Sequence, residues 1–182
     1  MNNWNKIFAK KGEIFGKKPS PILVKAIRTW KPKNKLALDI GAYTGRNSIY
    51  LANKKFKVTA IDSASEPLKQ LKKHSIKTIN QKIENYKWTK KYDIIVCLNV
   101  LQFISPKKVT KIIKQIKNNT NKKGLNIITV FLTKPFKTWK TFKHNELKKL
   151  YSDWKIKHYS EKTKQLATGG KVKTANIIAT KP

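Results

Sequence analysis

Asp39 stands two residues before Gly41, and Gly45 follows four residues later, in the run LDIGAYTGRNS. Glycines at this spacing let the backbone turn tightly beside a ligand, and the helical pattern opening near Arg46 offers unpaired N–H groups and the positive end of a helix dipole. A carboxylate just ahead of such a loop can engage the positively charged end of that ligand. About 20 residues past the glycines, Asp62 ends VTAID, where a carboxylate can accept both hydroxyls of a ribose. Neither the dinucleotide pattern GxGxxG nor the phosphate-loop pattern GxxxxGK is present. Each signal alone is equally consistent with turn chemistry. Together they ask for a ligand with an adenosine ribose at one end and a cationic, zwitterionic group at the other, and S-adenosylmethionine meets both requirements.

These residues need a scaffold, and alternation along the chain supplies one. Lys35 to Gly41, Lys57 to Ser63 and the apolar start of Tyr92 to Ile104 read as strands, with Ile76 to Ile83 a weaker candidate. Between them, RNSIYLANK and SEPLKQLKKHS read as helices, the second with Ser65 as N-cap and Pro67 in its first turn. Ser105 and Pro106 open a longer helix whose Val109, Ile112, Ile113 and Ile116 share one face; Lys107, Lys108, Lys111, Lys114 and Lys117 take the rest. Gly124 precedes a further strand, LNIITVFL, and HNELKKLYSDW reads as a helix with Leu147, Leu150, Tyr151 and Trp154 at core spacing. Two last runs, WKIKHYSE and KVKTANIIATKP, flank Gly169-Gly170 and read as a hairpin. The expectation is an α/β fold: a mostly parallel sheet with helices on both faces and a C-terminal antiparallel hairpin. In such sheets ligands lie beyond the carboxyl ends of the strands where strand order reverses, which points to the loops after Ile40, Ile61 and Leu98.

At 182 residues, the chain predicts one domain spanning 1–182, in which 1–30 form a lid segment and 31–182 the core. No run approaches the roughly 18 apolar residues of a membrane span, and the N-terminus lacks the apolar centre of a signal peptide, so a cytoplasmic location without membrane contact is expected. Lys and Arg total 42 against nine Asp and Glu, a formal net charge of +33. Such a charge attracts polyanions nonspecifically. Yet only Arg28 and Arg46 are arginine, the residue that clamps phosphates bidentately, and the lysines are spread over every segment, a pattern that codon composition also produces. Cys97, the only cysteine, sits in an apolar strand run and reads as a buried core residue. His74, His144 and His158 are scattered, so no metal site is expected. Trp4, Trp30, Trp88, Trp139 and Trp154 read as core or lid anchors, and Glu146 and Asp153 as salt-bridge partners of neighbouring lysines.

DIGAYTGRNSIYLA, VTAIDS and YDIIVCLNVLQFI resemble motifs I, II and IV of the class I methyltransferases. More narrowly, GRNSIYLA, the N-terminal FAKKGEIFGKKPSPILVKAI and the tail FKHNELKKLYSDWKIKHYSEKT resemble the tellurite-resistance, small-molecule methyltransferase family, over nearly the whole chain. The resemblance implies a Rossmann-like seven-stranded sheet with its last strand inserted antiparallel, and an N-terminal segment that closes over the cofactor. It places Asp39, Gly41 and Gly45 at the methionine end of S-adenosylmethionine, Asp62 at the ribose, Ile83 against the adenine, and the backbone of Leu98 and Asn99 on the far side. Ala42, Asn47 and Ser63, in the same loops, complete the cofactor-binding set. Three positions depart from the family pattern. Tyr43 replaces the middle glycine of motif I, so its ring either narrows the cofactor's path or pivots outward. Lys82 stands where relatives carry a carboxylate for the adenine amino group, and Thr163 to Ala175 lacks the His and Arg that some members place over the methyl.

No catalytic base is identifiable, which suits methyl transfer to an acceptor that is already nucleophilic, because alignment and desolvation do most of the work. The expected reaction is therefore methyl transfer to a small soft nucleophile, such as a thiol or a selenium or tellurium species. Two other readings stay open: a nucleic-acid methyltransferase exploiting the basic surface, although CLNVLQF holds no Asn-Pro-Pro-aromatic element, and a noncatalytic scaffold whose site has eroded at Tyr43 and Lys82. The sequence does not settle the oligomeric state.

Overall fold

The computed structural model describes residues 4–134, 141–165 and 170–182. Two helices, α1 (Trp4–Lys11) and α2 (Pro21–Ile27), precede the sheet. Then follow β1 (Leu36–Ile40), α3 (Arg46–Asn53), β2 (Lys57–Asp62), α4 (Ser65–Lys69), β3 (Lys77–Asn80), β4 (Tyr92–Leu98), α5 (Pro106–Asn118), β5 (Thr120–Phe131), α6 (Glu146–Leu150), β6 (Lys155–Gln165) and β7 (Lys171–Thr180). One seven-stranded sheet results, in the order β3-β2-β1-β4-β5-β7-β6. The first five strands pair in parallel; β7 runs antiparallel between β5 and β6. The Rossmann-like fold with an inserted last strand is thus as the sequence implies. Strand order reverses between β1 and β4.

Period-2 alternation divides the strands between two cores. Leu38, Ile40, Ile61, Ile95, Cys97 and Ile128 pack with the apolar face of α5 and with Leu147 of α6. Ala37, Val58, Ala60, Ile94, Val96 and Ile127, one position out of phase, pack with Leu23 of α2, Leu51 of α3 and Leu68 of α4. Helices therefore cover both faces. Pro106 opens α5 at its first position, where the missing N–H costs no hydrogen bond. The Lys181 ammonium closes the other end, donating to the carbonyls of Lys117 (3.0 Å) and Thr120 (2.8 Å).

Several boundaries differ from the sequence expectation. Ala64, not Ser65, is the N-cap of α4, because Asp62 already takes the Ala64 N–H and turns the chain one residue earlier. That helix stops at Lys69 and gives way to a 3-10 turn at Lys72–His74. β5 begins at Thr120 and runs through Gly124. There a Cβ would fall 2.8 Å from the Asp93 carbonyl, so the glycine permits close strand approach instead of marking a turn. α6 is a single turn; Tyr151 and Trp154 lie past its end yet are buried. Asp153 pairs with Lys117 as expected. Glu146 instead accepts the Lys143 backbone N–H at 2.7 Å. Gly169 and Trp139 lie outside the described residues. No helix among the described residues is long and apolar enough to cross a membrane.

Candidate active site

A cleft of about 980 Å³ opens at the carboxyl ends of β1, β2 and β4, at the reversal of strand order. Asp39, Gly41, Ala42, Asn47, Asp62, Ser63, Ile83, Leu98 and Asn99 all line it. Gly45, the tenth residue expected there, lies behind the lining. It has φ +81° as N-cap of α3, and an added Cβ would fall 2.0 Å from Leu71 Cδ2, so it serves the turn and the packing of α3. Gly41 has φ +72°, and its Cβ position is blocked 2.2 Å away by Val100 Cγ2.

The two carboxylates are held differently. Asp39, at 2% exposure, accepts the Ser48 hydroxyl at 2.6 Å. Burial pushes its pKa up to about 6, the nearby Asp62 charge adding to the rise while the Ser48 hydrogen bond opposes it. Asp62 accepts the Tyr43 N–H at 2.8 Å on one oxygen and the Ala64 N–H at 2.9 Å on the other. Burial raises its pKa as well, against those backbone hydrogen bonds. A carboxylate offers about four lone-pair sites, so both oxygens keep capacity for further donors.

Tyr43 resolves one alternative in the sequence. It has φ +51°, a left-handed conformation that suits the glycine usual at this position. Its ring turns toward the N-terminal segment, meeting Trp4, Phe8 and Phe15 edge-on with centroids 5.4 to 6.1 Å away. Its hydroxyl donates to the Gly12 carbonyl at 2.9 Å. The first residues of α3 grip that segment too: Arg46 donates to the carbonyls of Phe15 and Lys18, and Asn47 accepts the Ser20 N–H. Trp4 also packs edge-on against Phe103 across the cleft mouth, at 5.5 Å. Trp4, Ile14 and Phe15 thereby become part of the cleft wall. Lys82 lines the cleft where the family pattern calls for a carboxylate, and Glu84, two residues on, lines it as well.

Sequence reasoning missed the other wall. Gln102, in a 3-10 turn at Leu101–Phe103 that packs against β5, lines the cleft, as do Phe131, Lys134, Thr141 and Lys164. A lone amide inside the apolar run VLQFI was the available signal for Gln102. Lys164 gave none among so many lysines. Lys134 and Thr141 reach the cleft from either side of 135–140, which lie outside the described residues.

Known structures share this fold. A magnesium protoporphyrin IX methyltransferase from Synechocystis PCC 6803, solved with bound S-adenosylhomocysteine, superposes with a TM-score of 0.77 at 13% identity, covering 98% of this chain and 96% of its own. TehB from Haemophilus influenzae superposes with a TM-score of 0.83 at 29% identity, covering 98% of this chain and 67% of its own. The protein is an S-adenosylmethionine-dependent methyltransferase with a Rossmann-like fold. Residues 4–178 match the family described as tellurite resistance protein TehB, and the chain belongs to that family. The probable S-adenosyl-L-methionine-dependent methyltransferase TehB of Haemophilus influenzae is 30% identical over 196 aligned positions, which cover 96% of this chain and 68% of that relative.

Proposed function

We propose that this methyltransferase alkylates a small, soft nucleophile, a thiol or a selenium or tellurium species, inside a cleft closed by its own first 30 residues. The observation that carries this reading is the roof: among the described residues, Trp4 and Phe15, packed around Tyr43, cover one side of the cleft mouth. Residues 1–30 act as lid and 31–182 as core, one functional unit. Extruding a nucleobase needs a pocket that holds the flipped base after unstacking, and these short covering elements supply little of one.

The residues fit the cofactor. Asp62 keeps acceptor capacity for two ribose hydroxyls while backbone N–H groups fix its orientation. Asp39 is a buried carboxylate held by the Ser48 hydroxyl, and a cationic methionine end would favour its charged form. Gly41, Ala42 and Ser63 shape the loops between them and Asn47 lies in the first turn of α3; Ile83 would pack on the adenine, and the backbone of Leu98 and Asn99 would border the cofactor's far side. Bound S-adenosylmethionine supplies a sulfonium methyl: the acceptor's lone pair forms the new bond to carbon, and the C–S pair returns to sulfur. Alignment and exclusion of water by the lid are the protein's contribution, so no strong base is required.

Incubation with methyl-labelled cofactor tests the reading. Label is expected in small products from a panel of thiols, selenite and tellurite with reductant. Label in total RNA or DNA at physiological salt, with none in small products, would overturn it.

A further inference from the structure

Beyond β4 the chain turns through Asn99, at φ +58°, into the 3-10 turn that carries Gln102. Gln102 is 2% exposed and lies between Leu101 and Ile104, which are buried, and Phe103. Neither its amide nitrogen nor its amide oxygen has a hydrogen-bond partner, and the Asn99 side-chain oxygen has none either. Buried polar groups without partners are uncommon, because nothing offsets their loss of water. The other two unpartnered atoms among the described residues, Trp88 Nε1 and Thr180 Oγ1, belong to residues outside the cleft lining. The cleft therefore concentrates this deficit in one turn. That turn packs against β5, on the side of the strand-order reversal away from the β2 carboxylate. It faces the half of the cleft left to the acceptor once a cofactor spans β1 and β2.

A carboxamide donates through nitrogen and accepts through oxygen, two atoms side by side. Its complement presents an acceptor and a donor on adjacent atoms. Arg46, Lys82, Lys134 and Lys164 line the same cleft beside Asp39, Asp62 and Glu84, and with the two aspartates at β1 and β2 given to the cofactor a negative charge on that complement is favoured. We propose that Gln102 is the specificity-determining residue for the acceptor, and selects small molecules carrying a hydrogen-bond donor beside an acceptor over plain thiols. A hydroxylated oxyanion and a carboxamide-bearing thiol share this chemistry. The inference rests on the methyltransferase reading of the cleft and adds the handle by which the acceptor is held.

Gln102→Leu tests it, since leucine removes the unpaired atoms without emptying the space. Titration of the wild-type complex with S-adenosylhomocysteine is expected to show binding of hydrogen selenite and of mercaptoacetamide. The variant should bind S-adenosylhomocysteine as the wild type does, melt at the same or a higher temperature, and lose at least about tenfold affinity for both probes. Ethanethiol, which lacks the handle, should be bound or methylated equally by both proteins. The two probes separate the sources: whichever binds tighter to the wild type names the preferred one. A lowered melting temperature would make Gln102 structural, and unchanged probe affinity, or no probe binding to the wild-type complex, would equally overturn the inference. Failure of the wild type to bind S-adenosylhomocysteine would instead strike the cofactor reading beneath it.

Discussion

The floor and the roof of the cleft are fastened by different means. On the floor, Asp62 is fixed by the backbone N–H groups of Tyr43 and Ala64, from loops that the parallel strands position, and Asp39 by Ser48 of α3. On the roof, α1 and the turn after it are held by aromatic edges and by hydrogen bonds to the carbonyls of Gly12, Phe15 and Lys18. Such ring pairs contribute about 0.5–1.5 kcal/mol each beyond their buried area. The floor is therefore held by contacts within the sheet's own loops and α3, whereas the roof is held only by contacts to that floor. Tyr43 belongs to both: its N–H orients Asp62, and its ring and hydroxyl fasten the lid.

The largest separation between the two regions comes from Asp62→Ala. Charge-assisted hydrogen bonds contribute about 1.5–3 kcal/mol each, so cofactor affinity should fall at least about tenfold by calorimetry. An unchanged dissociation constant would place the ligand away from β2.

A smaller effect is expected from pH. Burial raises Asp39 to about 6, above the ordinary aspartate range, so the ligand-free fold is favoured with this group protonated; its ionisation removes stability as pH rises from about 4 to about 6. A cationic ligand end reverses that preference. Cofactor binding then releases a proton, and affinity should drop severalfold as pH falls from about 7.5 to about 5.5. Asp39→Asn should flatten this profile; a profile equally steep in the variant would assign the proton elsewhere.

How much of this was visible in the sequence follows the same division. Asp39, Gly41 and Asp62 could be read because the chemistry of a tight turn and a strand-end carboxylate is local. The strands were legible through β4 because fully buried parallel strands are continuous apolar runs, as in YDIIVCL. Local patterning misled where tertiary contacts decide. Tyr151 and Trp154 have helical spacing but are buried beyond a one-turn helix, and Gly124 punctuates nothing because Asp93 and Thr120 crowd it. Gln102 and Lys164 reach the same cleft only through folding, so no spacing announces them.

Roof substitutions should act more gently than floor ones. Tyr43→Gly removes three ring contacts and one hydrogen bond while suiting the positive φ, so cofactor affinity should weaken by about 1–2 kcal/mol with little loss of melting temperature. Trypsin should also cut faster at Lys6, Lys10 or Lys11 of the lid. Tighter binding in this variant would mean that the ring obstructs the site. Tyr43→Phe, which loses only the hydroxyl bond to Gly12, should cost about 0.5–1 kcal/mol in the same titration.

The most direct measurement is calorimetric titration of the wild-type chain with S-adenosylhomocysteine, the product form of the cofactor. A cofactor floor at β1 and β2 predicts saturable binding with one ligand per chain, weakened by Asp62→Ala far more than by Tyr43→Phe. Absence of binding at high ligand concentration would contradict the account, leaving a methyltransferase fold whose cleft no longer holds its cofactor.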